Sequence, residues 1–112
     1  MPTICTLVKK RPFDYEGNVE QGVTLRFGSG DTRVSAALFR AILRRFHGEV
    51  PGGFDFGAPT SGGLGEWVRD HSGDLNSGHL TPKHGSHIAA ILVHERYIRF
   101  CIRDNAVWLQ FP

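Results

Sequence analysis

Cysteine is scarce in this sequence, and long apolar runs are missing from it. The two cysteines, Cys5 and Cys101, stand far apart inside apolar stretches typical of strands, and there is no CxxC pair. We therefore expect no disulfide framework, and we expect both thiols to be small buried groups of a protein in a reducing compartment. No apolar run approaches the length of a membrane span and no leader opens the chain, so we expect a cytoplasmic protein without a membrane partner.

The excess of charge is also small. Thirteen Lys and Arg residues stand against eleven Asp and Glu, which leaves a formal net charge of +2. Total charge therefore does not indicate a nucleic-acid partner, and any electrostatic argument depends on where the charges lie. The chain has 112 residues, of which 40% are hydrophobic. We therefore expect residues 1–112 to form a single domain with its own core.

Motifs of the common enzyme classes are missing as well. The chain has no GxSxG, no HExxH and no phosphate-binding glycine motif, so we predict no catalytic residue, no bound metal and no cofactor. Two alternatives stay open. The cluster His71, His79, His84 and His87 could hold a metal ion, and His79 or His84 oriented by Asp74 could be the general base of a small nuclease or hydrolase. The serines near this cluster are Ser72, Ser77 and Ser86.

The first third of the chain, residues 1–34, predicts β-strands. TICTLVKKR begins with β-branched residues and ends basic, which favours a strand with an exposed end, and VTLRF alternates with Val23, Leu25 and Phe27 on one face. PFDYEGNVEQG, between them, is rich in turn-forming residues and predicts a loop. GSGD predicts a turn, after which TRV can return as a short third strand before Ser35 caps the next element.

Three helices are predicted in the remainder. Residues 35–48 carry one wide apolar stripe and end at a glycine, and residues 64–73 show helical spacing over two to three turns. Thr81 followed by Pro82 marks the start of a third helix that runs to about Tyr97.

A segment rich in glycine and proline, residues 49–63, separates the first two helices. Its two prolines and five glycines exclude a long helix and predict a loop. Within this loop Phe54 and Phe56 stand two residues apart, which favours a short strand or a pair of anchoring aromatic side chains.

The segment IRFCIRDNAVWLQF predicts a β-hairpin. Asp104 and Asn105 can adopt the positive φ angles of a two-residue turn. With that turn fixed, the pairs on one face are all apolar: Ile102 with Val107, Phe100 with Leu109, and Ile98 with Phe111. The pairs on the other face are mostly polar: Arg103 with Ala106, Cys101 with Trp108, and Arg99 with Gln110. A shift of one residue would lose this separation, so the register is predicted too.

The order of these elements resembles that of the winged helix-turn-helix family. Residues 35–48 are similar to the first helix, 64–73 to the second and 82–97 to the recognition helix, with Asp104-Asn105 at the tip of the wing. The fold class that the resemblance implies is α+β, a winged helix-turn-helix in residues 35–111 with an N-terminal two- or three-stranded β extension. That extension would brace the domain or mediate homodimerisation.

In the family that this half resembles, the start of the recognition helix reads bases in the major groove of double-stranded DNA, and the wing touches the backbone or the minor groove. The implied function is therefore non-enzymatic DNA binding, such as transcription regulation. Carried over by position, the DNA-binding residues are Lys83, His84, Ser86, His87, Arg99, Arg103 and Asn105. A winged-helix module that binds another protein stays open as the alternative.

The apolar side of the third helix predicts which of its residues face outwards. Ile88, Ile91 and Leu92 share one side, so the opposite side, with His87 and Ala90, is expected to face solvent or a partner. Lys83 and His94 belong to the same outer side.

Overall fold

Seven strands and three helices make up the part of the chain that the structure describes, residues 3–27, 30–55, 57, 60–76 and 78–112 of a computed structural model. In chain order they are β1 (Thr3–Cys5), β2 (Pro12–Asn18), β3 (Gly22–Phe27), β4 (Gly30–Val34), α1 (Ala36–Arg45), β5 (Gly48–Pro51), α2 (Leu64–Leu75), α3 (Pro82–His94), β6 (Arg99–Arg103) and β7 (Ala106–Phe111). All strand pairs among them are antiparallel. The fold class is therefore α+β.

The N-terminal strands form a four-stranded meander in the order β1-β2-β3-β4. The prediction of two or three strands was wrong, because the segment read as a loop is strand β2. Its Phe13 and Tyr15 are buried on one face, and this alternation is masked by the turn-forming Asp, Gly and Asn residues between and after them. The turn predicted for GSGD falls partly on Gly28 and Ser29, which lie outside the described residues.

A second sheet has the order β5-β7-β6. The predicted hairpin register is confirmed over five pairs, from Arg99 opposite Gln110 to Arg103 opposite Ala106. Asp104 and Asn105 have φ angles of 51° and 63°, as a two-residue turn requires. The prediction of a loop from residue 49 was wrong at its start, because β5 adds a third strand that pairs with β7.

The three predicted helices are present, with shifted ends. Ser35 caps α1 as expected, and its hydroxyl accepts the Leu38 N–H at 3.1 Å. Helix α2 extends to Leu75, two residues beyond the predicted end. Helix α3 stops at His94, because Arg96 takes a φ of 69° and the Tyr97 N–H turns back to the Leu92 carbonyl at 2.9 Å, which is the hydrogen bond of a Schellman ending.

Helices α2 and α3 touch where neither carries a side chain. A Cβ on Gly85 of α3 would lie 3.2 Å from the Cα of Gly65 and 3.1 Å from the Phe54 ring, and a Cβ on Gly65 would overlap the carbonyl oxygen of Gly53. The Gly65 N–H also donates to the Gly52 carbonyl at 2.8 Å. Phe54 is thus one of the two predicted anchors, and its partner Phe56 lies outside the described residues.

The meander lies against α1 and α3, and its apolar face joins the helices and the second sheet in one continuous core. Glu95, at the end of α3, joins helix and meander by polar contacts. Its carboxylate accepts the Tyr15 hydroxyl at 2.7 Å and the Val19 N–H at 3.0 Å. Burial, together with this carboxylate, raises the pKa of Tyr15. Two otherwise buried donors therefore depend on one side chain.

Both cysteines differ from expectation. Cys5 is exposed on the edge strand β1, Cys101 is half-buried, and both are free thiols. The prediction that they are buried was wrong, because each stands on the outer face of its strand. Across the described ranges, no helix has the length and apolar character that a membrane span requires.

Substitution of Gly65 is expected to separate the two helices. Gly65→Ala should lower the free energy of unfolding by about 2 kcal/mol or more, because the backbone of Gly53 and the Cβ of Pro82 leave no room for a methyl group. Gly73→Ala is the matched control in the same helix. It faces open space and should gain up to about 1 kcal/mol from helix propensity. Urea denaturation measures both; equal effects would contradict the close approach.

Removal of the Glu95 carboxylate is expected to loosen the meander. Glu95→Ala should cost about 1–3 kcal/mol, because the buried Tyr15 hydroxyl and Val19 N–H lose their acceptor. Tyr15→Phe deletes one of these donors, so the double variant should be less destabilised than the sum of the two single variants. Additive effects in urea denaturation would show that the contact is not made in solution.

Candidate nucleic-acid interface

The start of α3 is closed by a histidine. The Thr81 N–H donates to Nδ1 of His84 at 3.1 Å, and the His84 N–H donates to the Thr81 carbonyl at 3.0 Å, with Pro82 at the first helical position. Nδ1 of His84 thus accepts the N-cap N–H, as the side chain of Glu or Gln does in a capping box. Nδ1 accepts only when unprotonated, and burial lowers the pKa of His84. The ring of His84 is thus occupied in holding the helix start.

His87 lies under the meander. Its ring meets Phe13 of β2 edge to face at 4.8 Å between centroids, and Phe27 of β3 at 5.1 Å. Burial, and secondarily the neighbouring His84, lower the pKa of His87 to about 4. The ring is therefore neutral near pH 7, and it supplies an aromatic contact in the interior.

The prediction that His87 and Ala90 face outwards was wrong. Ala90 is only 3% exposed, and all five residues from Ile88 to Leu92 are buried. A helix buried over five successive positions is covered on every side. The apolar run IAAILV in the sequence was a sign of this, because it leaves no polar stripe in the middle of α3.

The first turn of α3 keeps one exposed cation. Lys83 is exposed, whereas Ser86 is half-buried and its hydroxyl donates to the Lys83 carbonyl at 2.7 Å. Of the four helix residues predicted to bind DNA, only Lys83 combines exposure with a side chain that the described part of the protein does not already engage.

The β6–β7 hairpin, which we call the wing, is exposed at its tip from Arg103 to Ala106. Arg103 donates hydrogen bonds from both terminal nitrogens to the carboxylate of Glu49 on β5, each at 2.6 Å. Its guanidinium lies 5.8 Å from the centre of the Trp108 ring. The hydrogen bonds from Arg103 lower the pKa of Glu49. The positive charge of Arg103 is therefore compensated already, whereas Asn105 at the tip is exposed.

Phe54 brings the wing and the start of α3 to one end of the domain. Its ring lies beside Gly85 on α3 and beside Gly52, whose N–H donates to the Val107 carbonyl of β7 at 3.0 Å. Lys83, Arg103 and Asn105 thus belong to the same end. Arg99 does not, because it pairs with Gln110 at the far end of the hairpin, next to the end of α3.

The residues of the two alternative chemistries lie at the surface or make other contacts. In the described ranges no three His, Cys, Asp or Glu side chains come together in a way that could hold a metal ion. His71 stacks on Trp67 at 4.3 Å, while His79 and Asp74 are exposed. Ser72 is buried and its hydroxyl accepts the Leu80 N–H at 2.8 Å. Ser77 lies outside the described residues.

Sequence reasoning missed a basic turn that lies beside the hairpin, at the end away from its tip. Lys9, Lys10 and Arg11, read as the exposed end of a strand, belong to the turn between β1 and β2. Lys10 extends over Phe100 of β6, with its Nζ 5.8 Å from the ring centre. The run VKKR in the sequence was the sign of a local concentration of charge, but its position beside the hairpin depends on tertiary packing.

No protein-family model, no curated protein and no solved structure matches this chain.

The half-buried imidazole of His87 predicts sensitivity to acid. The pKa of His87 is about 4 in the folded chain against an ordinary value of 6.5, so between these pH values the unfolded chain binds more protons. The free energy of unfolding must therefore fall as pH drops from about 6.5 to about 4. In His87→Leu the midpoint temperature should depend less on pH over this window, whereas His79→Gln, at an exposed site, should match the unaltered protein. An unchanged slope in His87→Leu would show that the ring is solvated.

Proposed function

We propose that this chain is a winged-helix protein that binds double-stranded DNA. The observation that carries the proposal is the common position of the exposed start of α3 and the wing tip at one end of the domain, joined through Phe54. The order of three helices followed by a hairpin supports the same interpretation. A duplex can accept a helix start in its major groove while a hairpin meets the adjacent backbone.

Only the first turn of α3 is available for this contact. The meander covers the side that bears His84 and His87. The helix would therefore contact the groove with the residues at its N-terminus. Lys83 would bind a phosphate or a guanine edge, and the helix N-terminus adds a partial positive charge that favours phosphate. Such a contact reads few bases, so we expect modest sequence preference and strong dependence on salt.

In the wing, Arg103 would exchange its partner Glu49 for a phosphate of the DNA. Arg103 is held in a two-pronged contact by Glu49, and a phosphate offers the same geometry. Asn105, at the exposed tip, can donate to a phosphate or to a base edge in the minor groove. Arg99 is left out of the proposed surface because it lies at the other end of the hairpin.

One observation favours a second function, a winged-helix module that binds another protein. Ile102 is 47% exposed on β6, which is an edge strand of its sheet. An edge strand with an exposed apolar side chain can accept a partner's strand. Homodimerisation through the N-terminal strands also remains a proposal, with β1 and β4 at the two edges of the meander.

Titration of a labelled random-sequence duplex tests DNA binding. We expect fluorescence anisotropy to detect binding at about 50 mM salt that weakens by at least tenfold at about 200 mM, because released counterions drive phosphate contacts. Lys83→Ala should weaken binding several-fold without changing the midpoint temperature, since its side chain is exposed.

Arg44→Ala is the matched control. Arg44 is an exposed cation on α1, which leads into the end of the second sheet where Gly48 pairs with Phe111, away from the wing tip. It should bind like the unaltered protein. Equal losses for Lys83→Ala and Arg44→Ala would indicate diffuse attraction without a defined surface, and no binding at low salt would favour the protein-binding alternative.

A further inference from the structure

A groove lies at the end of α3, where the chain turns into the hairpin. Its volume is about 760 Å³, which is within the range of roughly 300–1,000 Å³ that is typical of small-molecule sites. The last turn of α3, the turn that follows it and the open end of the hairpin line the groove. It therefore lies at the end of the domain away from the wing tip.

The floor of the groove is apolar and partly aromatic. Ile98 and Phe111 are buried in the core, whereas Tyr97 and Phe100 are half-buried. The Tyr97 hydroxyl interacts with the carboxylate of Glu20, which is not part of the lining. The two rings thus leave apolar surface open to solvent, and an apolar ligand would cover it.

The rim of the groove is positively charged. Arg96 and Arg99 line it and are exposed, and no ion pair found in the described ranges includes either of them. Lys10 adds a third cation, because its Nζ lies 5.8 Å from the centre of the Phe100 ring. None of the lining residues is Asp or Glu. The groove therefore has a positive local field, although the net charge of the chain is small.

Arg96 occupies a backbone position that suits glycine. Its φ is 69°, in the left-handed region that commonly follows a helix and that glycine adopts at lower cost than a residue with a Cβ. The backbone alone gives no reason for an arginine at this position. An outlier of this kind favours a function for the side chain.

We infer that this groove binds a small anion with an apolar body, such as an aromatic carboxylate or phosphate ester. The apolar body would cover the rings of Tyr97 and Phe100. The oxygens of the anion would accept hydrogen bonds from Arg96 and Arg99, because a guanidinium matches a carboxylate or phosphate with two parallel donors. Charge complementarity selects this class of ligand, since a cation would be repelled and an uncharged molecule would leave both arginines unused.

The groove is separate from the surface proposed to bind DNA. Helix α3 has 13 residues, which place its end about 20 Å from Lys83 in the first turn. Binding of the small anion can therefore be measured in the absence of DNA, and its outcome is independent of duplex binding.

A pair of fluorescent probes tests the chemistry of the groove. Anilinonaphthalene sulfonate is an apolar anion, and N-phenylnaphthylamine is the same molecule without the sulfonate. We expect saturable binding of the first, and binding of the second that is weaker by about tenfold or more. Naphthoate or naphthyl phosphate should displace the first probe, whereas the uncharged naphthalenemethanol should not. The tighter competitor identifies the oxyanion that the arginines prefer.

Arg96→Gly separates the charge of the groove from the stability of the fold. Glycine suits the positive φ while the guanidinium is lost, so the midpoint temperature should stay unchanged or rise, and probe affinity should fall by about three- to tenfold. Arg99→Gln should lower the affinity in the same way, and Arg96→Lys should retain part of it. Arg40→Ala, which removes an exposed cation of α1 outside the lining, is the matched control and should bind like the unaltered protein.

Three results would overturn the inference. The first is equal affinity for the charged and the uncharged probe, or full affinity in Arg96→Gly combined with Arg99→Gln. The second is the absence of saturable probe binding by the unaltered protein. The third is sedimentation with phosphatidylserine vesicles that the double variant loses, together with no displacement of the probe by naphthoate or naphthyl phosphate, because the groove would then contact an anionic membrane surface.

Discussion

The close approach of α2 and α3 is the constraint on which the rest of this structure depends. Gly65 and Gly85 leave only backbone at the crossing point, and the ring of Phe54 closes the remaining space. Because Phe54 also lies against Gly52, next to β7, the same contact fixes the position of the hairpin relative to the start of α3. The uncharged residues Gly65, Gly85 and Phe54 therefore determine how α3 and the hairpin are placed in any surface that they share.

The meander changes what α3 can do. A helix whose centre is buried from Ile88 to Leu92 contributes to the core on all sides, and its polar residues near the start are used for structure. His84 caps the helix and His87 fills the space between two phenylalanine rings. Because the centre of α3 is buried in the core, little of its surface is exposed. A partner would therefore contact the N-terminal turn of α3.

Local features were predictable from the sequence. The register of the hairpin follows from Asp104 and Asn105 together with alternating apolar pairs, and the starts of α1 and α3 follow from Ser35 and Thr81-Pro82. These depend on residues a few positions apart, where propensity and pattern decide the outcome. Strand β2 was missed because turn-forming residues mask its alternation, and β5 because Pro51 and its glycine neighbours favour a loop.

The candidate site was predictable only in part. Lys83, Arg103 and Asn105 are exposed where the pattern puts them, since turns and helix starts are local. The roles of the histidines depend on where the meander lies, which is set by contacts such as that between Phe13 and His87, more than seventy positions apart in the chain. No short stretch of the sequence contains both residues of such a contact. The same reason kept Lys10 from being linked to the hairpin.

The strand order β5-β7-β6 also determines when this domain can be completed during synthesis. The central strand of the second sheet, β7, is the last of its three strands to be synthesised. It must insert between β5 and β6, so that Phe111 pairs with Gly48. The meander contains only neighbouring pairs and can form early. In a nascent chain the first sheet could therefore be complete while β5 and β6 are still unpaired, because β7 has not yet been synthesised.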